Sequence, residues 1–336
     1  MQLRCLMNLS SDRLHALPIA ILYITDRCNS RCVTCDYWRF GRSEMSMELV
    51  DRLARELPVC GTRYVLLSGG EPLQHPQWRR IVSKFKSAGM KVGMVTSGIL
   101  LPGAASEVEK QVDEIYVSLD GATAESYQAI RGVDGLKLVG QGVRVLSGKL
   151  AVVLRTTVQR GNYREMPDLI RLGKSWGAAH HSFLAVDVAT HAAFARAKDF
   201  DRSMALEADD LDLFARQLDR VEQEFGSEFS TGYLLESPAK LRRLHGYFAA
   251  LLGLSDFPAV RCNAPLFSAV IETTGSLKPC FFLPSTGALD GGSVLDCLNA
   301  PSALELRRMQ RAGKREECAR CVCPAYKSAR ALAGGV

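Results

Sequence analysis

Cys28-Asn29-Ser30-Arg31-Cys32-Val33-Thr34-Cys35 places three cysteines at C-x3-C-x2-C spacing, directly after the apolar run 19–25. Three thiolates so close together can hold one metal centre. They fall one short of a four-iron cluster, which needs a ligand on each iron and usually takes four cysteines. One iron is then open to a substrate or cofactor, the arrangement of a cluster built to do chemistry. Two plainer readings stand beside this one. A structural zinc takes four N or S ligands, and the nearest histidines, His15 and His75, lack a finger spacing. Buried free thiols are the other, since cysteine is often a core residue.

Outward from the triad, short β-rich runs alternate with amphipathic stretches. The strand candidates are 19–25, 64–68, 91–96, 114–118, 150–159 and 181–186. The helical stretches between them include 47–57, 76–88, 122–131, 136–146 and 162–176. In the first, Leu49, Val50, Leu53 and Leu57 recur at helical spacing. Six strands alternating with helices imply a parallel sheet, and periodicity alone does not separate an open doubly wound sheet from a barrel. The unusual loops all follow strands: the cysteine triad after the first, Gly69-Gly70-Glu71-Pro72 after the second, Thr96-Ser97-Gly98 after the third and Ser118-Leu119-Asp120-Gly121 after the fourth. In β/α barrels the active site forms at the C-terminal strand ends.

The triad and the Gly69-Gly70-Glu71 run, 34 residues after Cys35, resemble those of the radical S-adenosylmethionine (SAM) superfamily. The resemblance implies a partial (β/α)6 barrel and a [4Fe–4S] cluster on Cys28, Cys32 and Cys35. It also implies that the open iron chelates SAM, whose reductive cleavage yields a 5′-deoxyadenosyl radical. Thr34 departs from the aromatic residue that the family usually has before the third cysteine; Tyr37 and Trp38 follow and can supply aromatic cover. Gly69, Gly70 and Glu71 are expected to receive the SAM ammonium group, and Ser118 and Asp120 to lie near its ribose and carboxylate. Ser97 stands where many relatives have asparagine near the sugar. Gly-Gly-Glu-Pro can also be a tight turn, and Asp120-Gly121 a turn pair. Arg155, on an otherwise apolar or hydroxylic strand, either binds a carboxylate or phosphate or sits in a structural salt bridge. Arg131-Gly132 reads as a helix end.

The second group of cysteines is Cys262, Cys280, Cys318, Cys321 and Cys323. Cys262 and Cys280 bracket a strand-like run and Thr274-Gly275 at C-x12-G-x4-C spacing, so a hairpin brings them together. After a helix near 304–312, Cys318-Ala-Arg-Cys321-Val-Cys323-Pro supplies a C-x2-C loop. Four such thiols also suit a zinc ribbon. The segment resembles the twitch/SPASM extension of certain radical SAM enzymes, which holds auxiliary [4Fe–4S] clusters. With five cysteines instead of seven it implies one auxiliary cluster on Cys262, Cys280, Cys318 and Cys321, Cys323 substituting for Cys318 or Cys321. Cys5, Cys60 and Cys297 stand apart and are given structural roles.

The expected fold class is therefore α/β. It comprises an N-terminal segment 1–17, a partial (β/α)6 TIM-like barrel over 18–190, a helical connector over 191–258, and a small α+β cluster-binding domain, a β-hairpin plus helix, over 259–336. The 336 residues, 47 % apolar and 23 % charged, are ordinary for a globular protein. No apolar run reaches a membrane span, and the first residues lack a secretory h-region, so a cytoplasmic, reducing compartment is expected. A net charge of +6 suits an anionic substrate or an acidic donor and is too diffuse for nucleic acid. Expected cofactors are the SAM-binding cluster, one auxiliary cluster and SAM. Expected partners are a low-potential flavodoxin- or ferredoxin-like electron donor and a small-molecule substrate, with no nucleic acid and no membrane. The small-molecule expectation, a sugar-, aminocyclitol- or nucleotide-like metabolite, rests on the shortness of the stretch before the first strand. A peptide maturase with a separate leader-binding partner is the alternative. A zinc-stabilised nucleic-acid-binding protein and a two-cluster electron carrier are the readings from other classes.

Overall fold

A computed structural model describes residues 2–190, 192–196 and 200–334. Nine strands form one sheet in the order β6-β5-β4-β3-β2-β1-β7-β8-β9. The first six are β1 (Ile19–Thr25), β2 (Tyr64–Gly69), β3 (Lys91–Thr96), β4 (Glu114–Ser118), β5 (Val152–Val158) and β6 (His180–Ala185). Each pairs in parallel with the next. Helices or helical turns cross between them, and the sheet runs from β6 to β9 without closing, so the barrel is partial.

The sequence dictates this arrangement through period-two burial. Ala20, Leu22 and Ile24 of β1, with Val65 and Leu67 of β2, join the core under the helices. The alternate residues Ile21 and Tyr23 face the other way and pack with Leu66, Val270 and Tyr37. Adjacent strand residues point to opposite faces, so that second face lines the barrel interior. Helix Met47–Val59 starts where Ser46 accepts the Leu49 N–H, and it buries Val50, Leu53 and Leu57. Helix Ala124–Arg131 opens on a capping box from Thr123 and Ser126 and stops at Gly132, whose φ is 69°. Helices Gln2–Ser10 and Leu101–Gln111 lie outside the expected set, as do several short ones such as Gly226–Ser230 and Ala329–Gly334.

The C-terminal strands continue the barrel sheet. β7 (Ser268–Ile271) pairs in parallel with β1, Ile19 opposite Ser268. β8 (Ser276–Lys278) turns back antiparallel around Gly275, and β9 (Gly287–Ala288) pairs with β8. Between barrel and hairpin run helices Ala208–Glu224 and Pro238–Leu251. Among the described residues no helix is long and apolar enough to cross a membrane.

Candidate active site

The loop after β1 carries Cys28, Cys32 and Cys35 and is pinned on several sides by the other strand ends. The Gly70 N–H donates to the Thr25 carbonyl and the Glu71 N–H to the Arg27 carbonyl, both at 2.7 Å. A Cβ on Gly70 would collide with the Arg27 carbonyl, and one on Gly69, at φ 120°, with that of Thr25. The paired glycines therefore serve a close approach of the chain to itself. On another side, Arg31 and Val33 donate their N–H groups to the carbonyls of Arg131 and Ile130. A Cβ at Gly132 would strike Arg31. Ser97 donates its hydroxyl to Asn29 at 3.0 Å.

Glu71 is 0 % exposed. Its Oε1 accepts the Leu73 N–H at 3.1 Å and the Thr96 hydroxyl at 2.8 Å, and its Oε2 accepts the Ser97 N–H at 2.7 Å. A carboxylate has about four acceptor positions, so one remains for a ligand. The side chain braces the ends of β2 and β3 against each other before it can bind anything else.

Burial pushes the Cys28 thiol up to about 11 and that of Cys35 to about 12, and it raises Cys32; mutual repulsion adds to the shift at Cys28 and Cys35. The Ser30 N–H lies 3.5 Å from the Cys28 sulfur. The cation facing this group is Arg131, whose side chain is 12 % exposed and pairs with Asp120 at 3.1 Å. Cys32 and Cys28 raise its proton affinity, as does Asp120, against the opposing effect of burial. Asp120 also accepts the Thr157 N–H at 2.8 Å, so its own carboxylate is held by the chain. Sequence reasoning treated Arg131 as a helix end, which it is, and missed its side chain. The available signal was Asp120, a buried acid on a strand-end loop that needs a cation.

Four buried polar atoms round this loop have no partner among the described residues: Asn29 Nδ2, Ser30 Oγ, Tyr127 Oη and Arg131 Nε. Orphaned buried polar groups are costly, and a polar ligand against the thiols would satisfy them. The donor set of three thiols, a guanidinium and these groups fits a cluster with a zwitterionic ligand. Among the described residues no three His, Cys, Asp or Glu side chains converge on a single-ion site. A lone zinc draws its sulfurs to about 2.3 Å from one point, whereas a cubane asks each thiol to reach a different corner.

Tyr37 is buried beside Cys35 in the interior cluster and meets the Tyr23 ring edge-on at 5.8 Å. Ser118 and Arg155 are register partners on β4 and β5 and share the interior face. Arg155 has no carboxylate within ion-pair distance among the described residues; its Nη2 lies 3.9 Å from the Cys323 sulfur. The salt-bridge alternative for Arg155 finds no acid among the described residues. On β6, His181 turns away from the interior. It is fully buried, with Nε2 2.9 Å from the Thr156 hydroxyl, and burial lowers its pKa to about 3.

The later cysteines come together as the hairpin suggests. Cys280 feels Cys318 and Cys262, and Cys321 feels Cys323 first and then Cys280 and Cys262, although burial is the first cause of the upward shift at both. Burial lifts Cys280 to about 12 and Cys318 to about 11. Asn263, absent from the expected set, docks the last loop. It exchanges two 2.9 Å bonds with the Lys327 backbone, and its N–H donates to the Ala325 carbonyl. The Cys323 N–H approaches the Cys321 sulfur at 3.4 Å while its own sulfur turns to Arg155. Cys5 and Cys60 are buried in the core.

Residues 22–173 match the family model of the Radical SAM superfamily. A GTP 3′,8-cyclase of Marinobacter nauticus is 32 % identical over 162 residues, 46 % of this chain and 49 % of that protein. A probable GTP 3′,8-cyclase of Thermococcus kodakarensis is 34 % identical over 160 residues, 46 % and 52 % of the two chains. An AdoMet-dependent heme synthase of Methanosarcina barkeri is 31 % identical over 171 residues, 48 % and 49 %. The chain spans about half the length of these relatives. Among solved structures, anSMEcpe with bound AdoMet has a TM-score of 0.66 at 15 % identity, covering 94 % of this chain and 92 % of that one. Streptococcus suis SuiB bound to S-adenosylmethionine has a TM-score of 0.65 at 14 % identity, covering 95 % and 75 %. These two likenesses are of fold.

Proposed function

We propose, on the premise that residues 22–173 are a radical SAM domain, that this chain is an enzyme that uses S-adenosylmethionine to take a hydrogen atom from a substrate C–H bond. The observation that carries the reading is the placement of three sheltered thiols against Arg131 and four orphaned polar atoms at the strand ends. Cys28, Cys32 and Cys35 would hold three irons of a [4Fe–4S] cluster. The cluster and SAM, when bound, supply the 5′-deoxyadenosyl radical.

The chain's own residues then bind, orient and exclude water. Arg131 would receive the SAM carboxylate, because its charge acts on all three thiols and its Nε has no partner among the described residues. The last acceptor position of Glu71, with the backbone of Gly69 and Gly70, would be available to the ammonium group. Ser118 and Ser97 offer hydroxyls near the sugar, and Tyr37 closes the apolar side of Cys35. Cys262, Cys280, Cys318 and Cys321 form the auxiliary ligand set. Cys323 lies beside Cys321, but its sulfur also reaches Arg155 at 3.9 Å, and in this reading it is left outside the set.

The substrate in this reading is a small anionic metabolite of nucleotide- or sugar-like size. The relatives named GTP 3′,8-cyclase support a nucleotide-like substrate. Arg155 supports the charge, since a cation in a barrel is costly until an anion joins it. An electron donor of low potential is the required partner.

The test is anaerobic reconstitution followed by SAM and dithionite. Iron and sulfide near eight of each per chain are expected if two cubanes form, with 5′-deoxyadenosine as product. Replacing Cys28, Cys32 and Cys35 by alanine should abolish the deoxyadenosine and leave the auxiliary iron in place. Colourless zinc protein, or deoxyadenosine from the triple variant, would overturn the proposal.

A further inference from the structure

Beyond β6, residues 187–190 and 192–196 form a strap that touches both thiol sites. Asp187 and Arg196 make a buried ion pair at 2.9 Å, their side chains 4 % and 2 % exposed. The Arg196 Nε donates to the Thr34 carbonyl at 3.0 Å, and the Asp36 N–H donates to the Phe194 carbonyl at 2.9 Å. The strap therefore bonds the residues on either side of Cys35. It also touches the loop that carries Cys280: the Lys278 ammonium donates to the Ala192 carbonyl at 3.0 Å, and the Phe194 ring meets Phe282 edge-on at 6.0 Å. Phe194 and Ala195 hold φ of 62° and 53°, an unfavourable conformation for non-glycine residues. Such strain persists only where the surroundings over-determine it, and here the two loops do.

Arg196 is a fixed charge by construction. It lies over the Phe194 and Phe200 rings, 4.8 and 4.6 Å from their centroids, and Asp187 is itself held by the Ala189 N–H and the Thr190 hydroxyl. Burial lowers the arginine's proton affinity, while Asp187 and Cys35 act the other way. A buried ion pair is weak evidence for stability, so this one asks for another role.

We infer that Arg196, held in place by Asp187, is a positioning residue that sets the reduction potential of the centre on Cys28, Cys32 and Cys35. The inference rests on the reading that this triad holds an iron–sulfur cluster. Potentials of such clusters are set by net charge, hydrogen bonds and exposure. A cation fixed beside Cys35 favours the reduced, more negative state and so raises the potential. The carboxylate behind it weakens that effect.

The test is a redox titration of anaerobically reconstituted protein, read by electron paramagnetic resonance, taking the signal that changes on adding SAM as this centre. Arg196→Gln should leave about tenfold less reduced centre at a given potential, a shift of about 59 mV to the negative for one electron. Asp187→Asn should move the potential the opposite way, and Arg196→Lys should stay near wild type. Opposite signs are the decisive result, because a merely structural role would move both variants in one direction or in none. Same-sign or absent shifts at full iron content overturn the inference. Should Arg196→Gln lose iron, Asp187→Asn still decides through its sign. A wild-type protein that takes up iron but shows no SAM-sensitive signal sinks the radical SAM reading instead.

Discussion

Removing the Glu71 carboxylate separates a brace from a ligand. The side chain is fully buried and accepts three hydrogen bonds, from Leu73 and Ser97 backbone N–H groups and the Thr96 hydroxyl. In Glu71→Ala the threonine hydroxyl can rotate, but two backbone donors are stranded. Each costs roughly 1–3 kcal/mol when buried and unpaired, so the variant should lose about 2–6 kcal/mol. Glu71→Gln keeps the volume and one carbonyl oxygen. Whichever way the amide turns, its NH2 meets at least one donor, so a loss of about 1–3 kcal/mol is expected. The assay is urea unfolding followed by tryptophan fluorescence, with Trp78 and Trp176 as buried reporters in the barrel wall. Midpoints should fall in the order wild type, Gln, Ala at unchanged slope. Glu71→Ala within about 0.5 kcal/mol of wild type, the range of an ordinary surface change, together with a collapse of SAM affinity, would refute the brace.

Three further outcomes follow from the same geometry. Cys323→Ala should keep its iron and cluster absorbance, because its sulfur faces Arg155, whereas Cys280→Ala should lose about four irons per chain; iron loss from Cys323→Ala alone would move the ligand set by one cysteine. Arg131→Met should weaken SAM binding about 10- to 100-fold, the cost of about 1.5–3 kcal/mol for a charge-assisted partner, and unchanged affinity in equilibrium binding would confine Arg131 to its pair with Asp120. Buried His181 is held neutral with a pKa lowered to about 3, so its contribution is fully present above an unfolded value of about 6.5 and is lost as pH falls from there toward 3. His181→Gln should flatten that part of the stability profile by up to about 1.4 kcal/mol per pH unit, and an unaltered acid limb would show that another group sets it.

The strand ends were legible because β/α alternation marks them twice, by apolar period and by the odd loop that follows. β1, β3 and β4 fall on the residues the pattern picks, and β5 and β6 within two residues at each end. What the pattern does not carry is long-range pairing. That β7 lies beside β1 depends on hydrogen bonds between residues about 250 positions apart, and no local period encodes them. The same holds for the strap, whose partners Thr34 and Asp36 lie some 160 residues upstream. Gly69-Gly70 was readable as a close approach, but its partner proved to be the chain's own backbone. Arg131 was hidden because Arg-Gly at a helix end has an adequate local explanation. Asn29 and Asn263 were hidden because single asparagines are common in loops.

The placement of the hairpin decides how the two thiol sites relate. Were β7 absent, β1 would be an edge strand, exposing the unpaired backbone of Ile19 to Leu22, and long apolar edges invite wrong pairing. The strand that carries the cysteine loop is thus completed by the segment that carries Cys262 and Cys280. Thr273, just past β7, donates to Asp26, just past β1, at 3.1 Å, so the two loops also meet at their roots. Tyr23 lies in the same seam: after burial and Tyr37, both Cys35 and Cys280 are among the groups that raise its hydroxyl pKa, and its ring packs 6.1 Å from Phe281. One sheet, one aromatic wedge and one strap thus link the two sites. Their separation is therefore a property of the fold, and the charges lying between them, Arg196 and Asp187 first, remain adjustable without altering it.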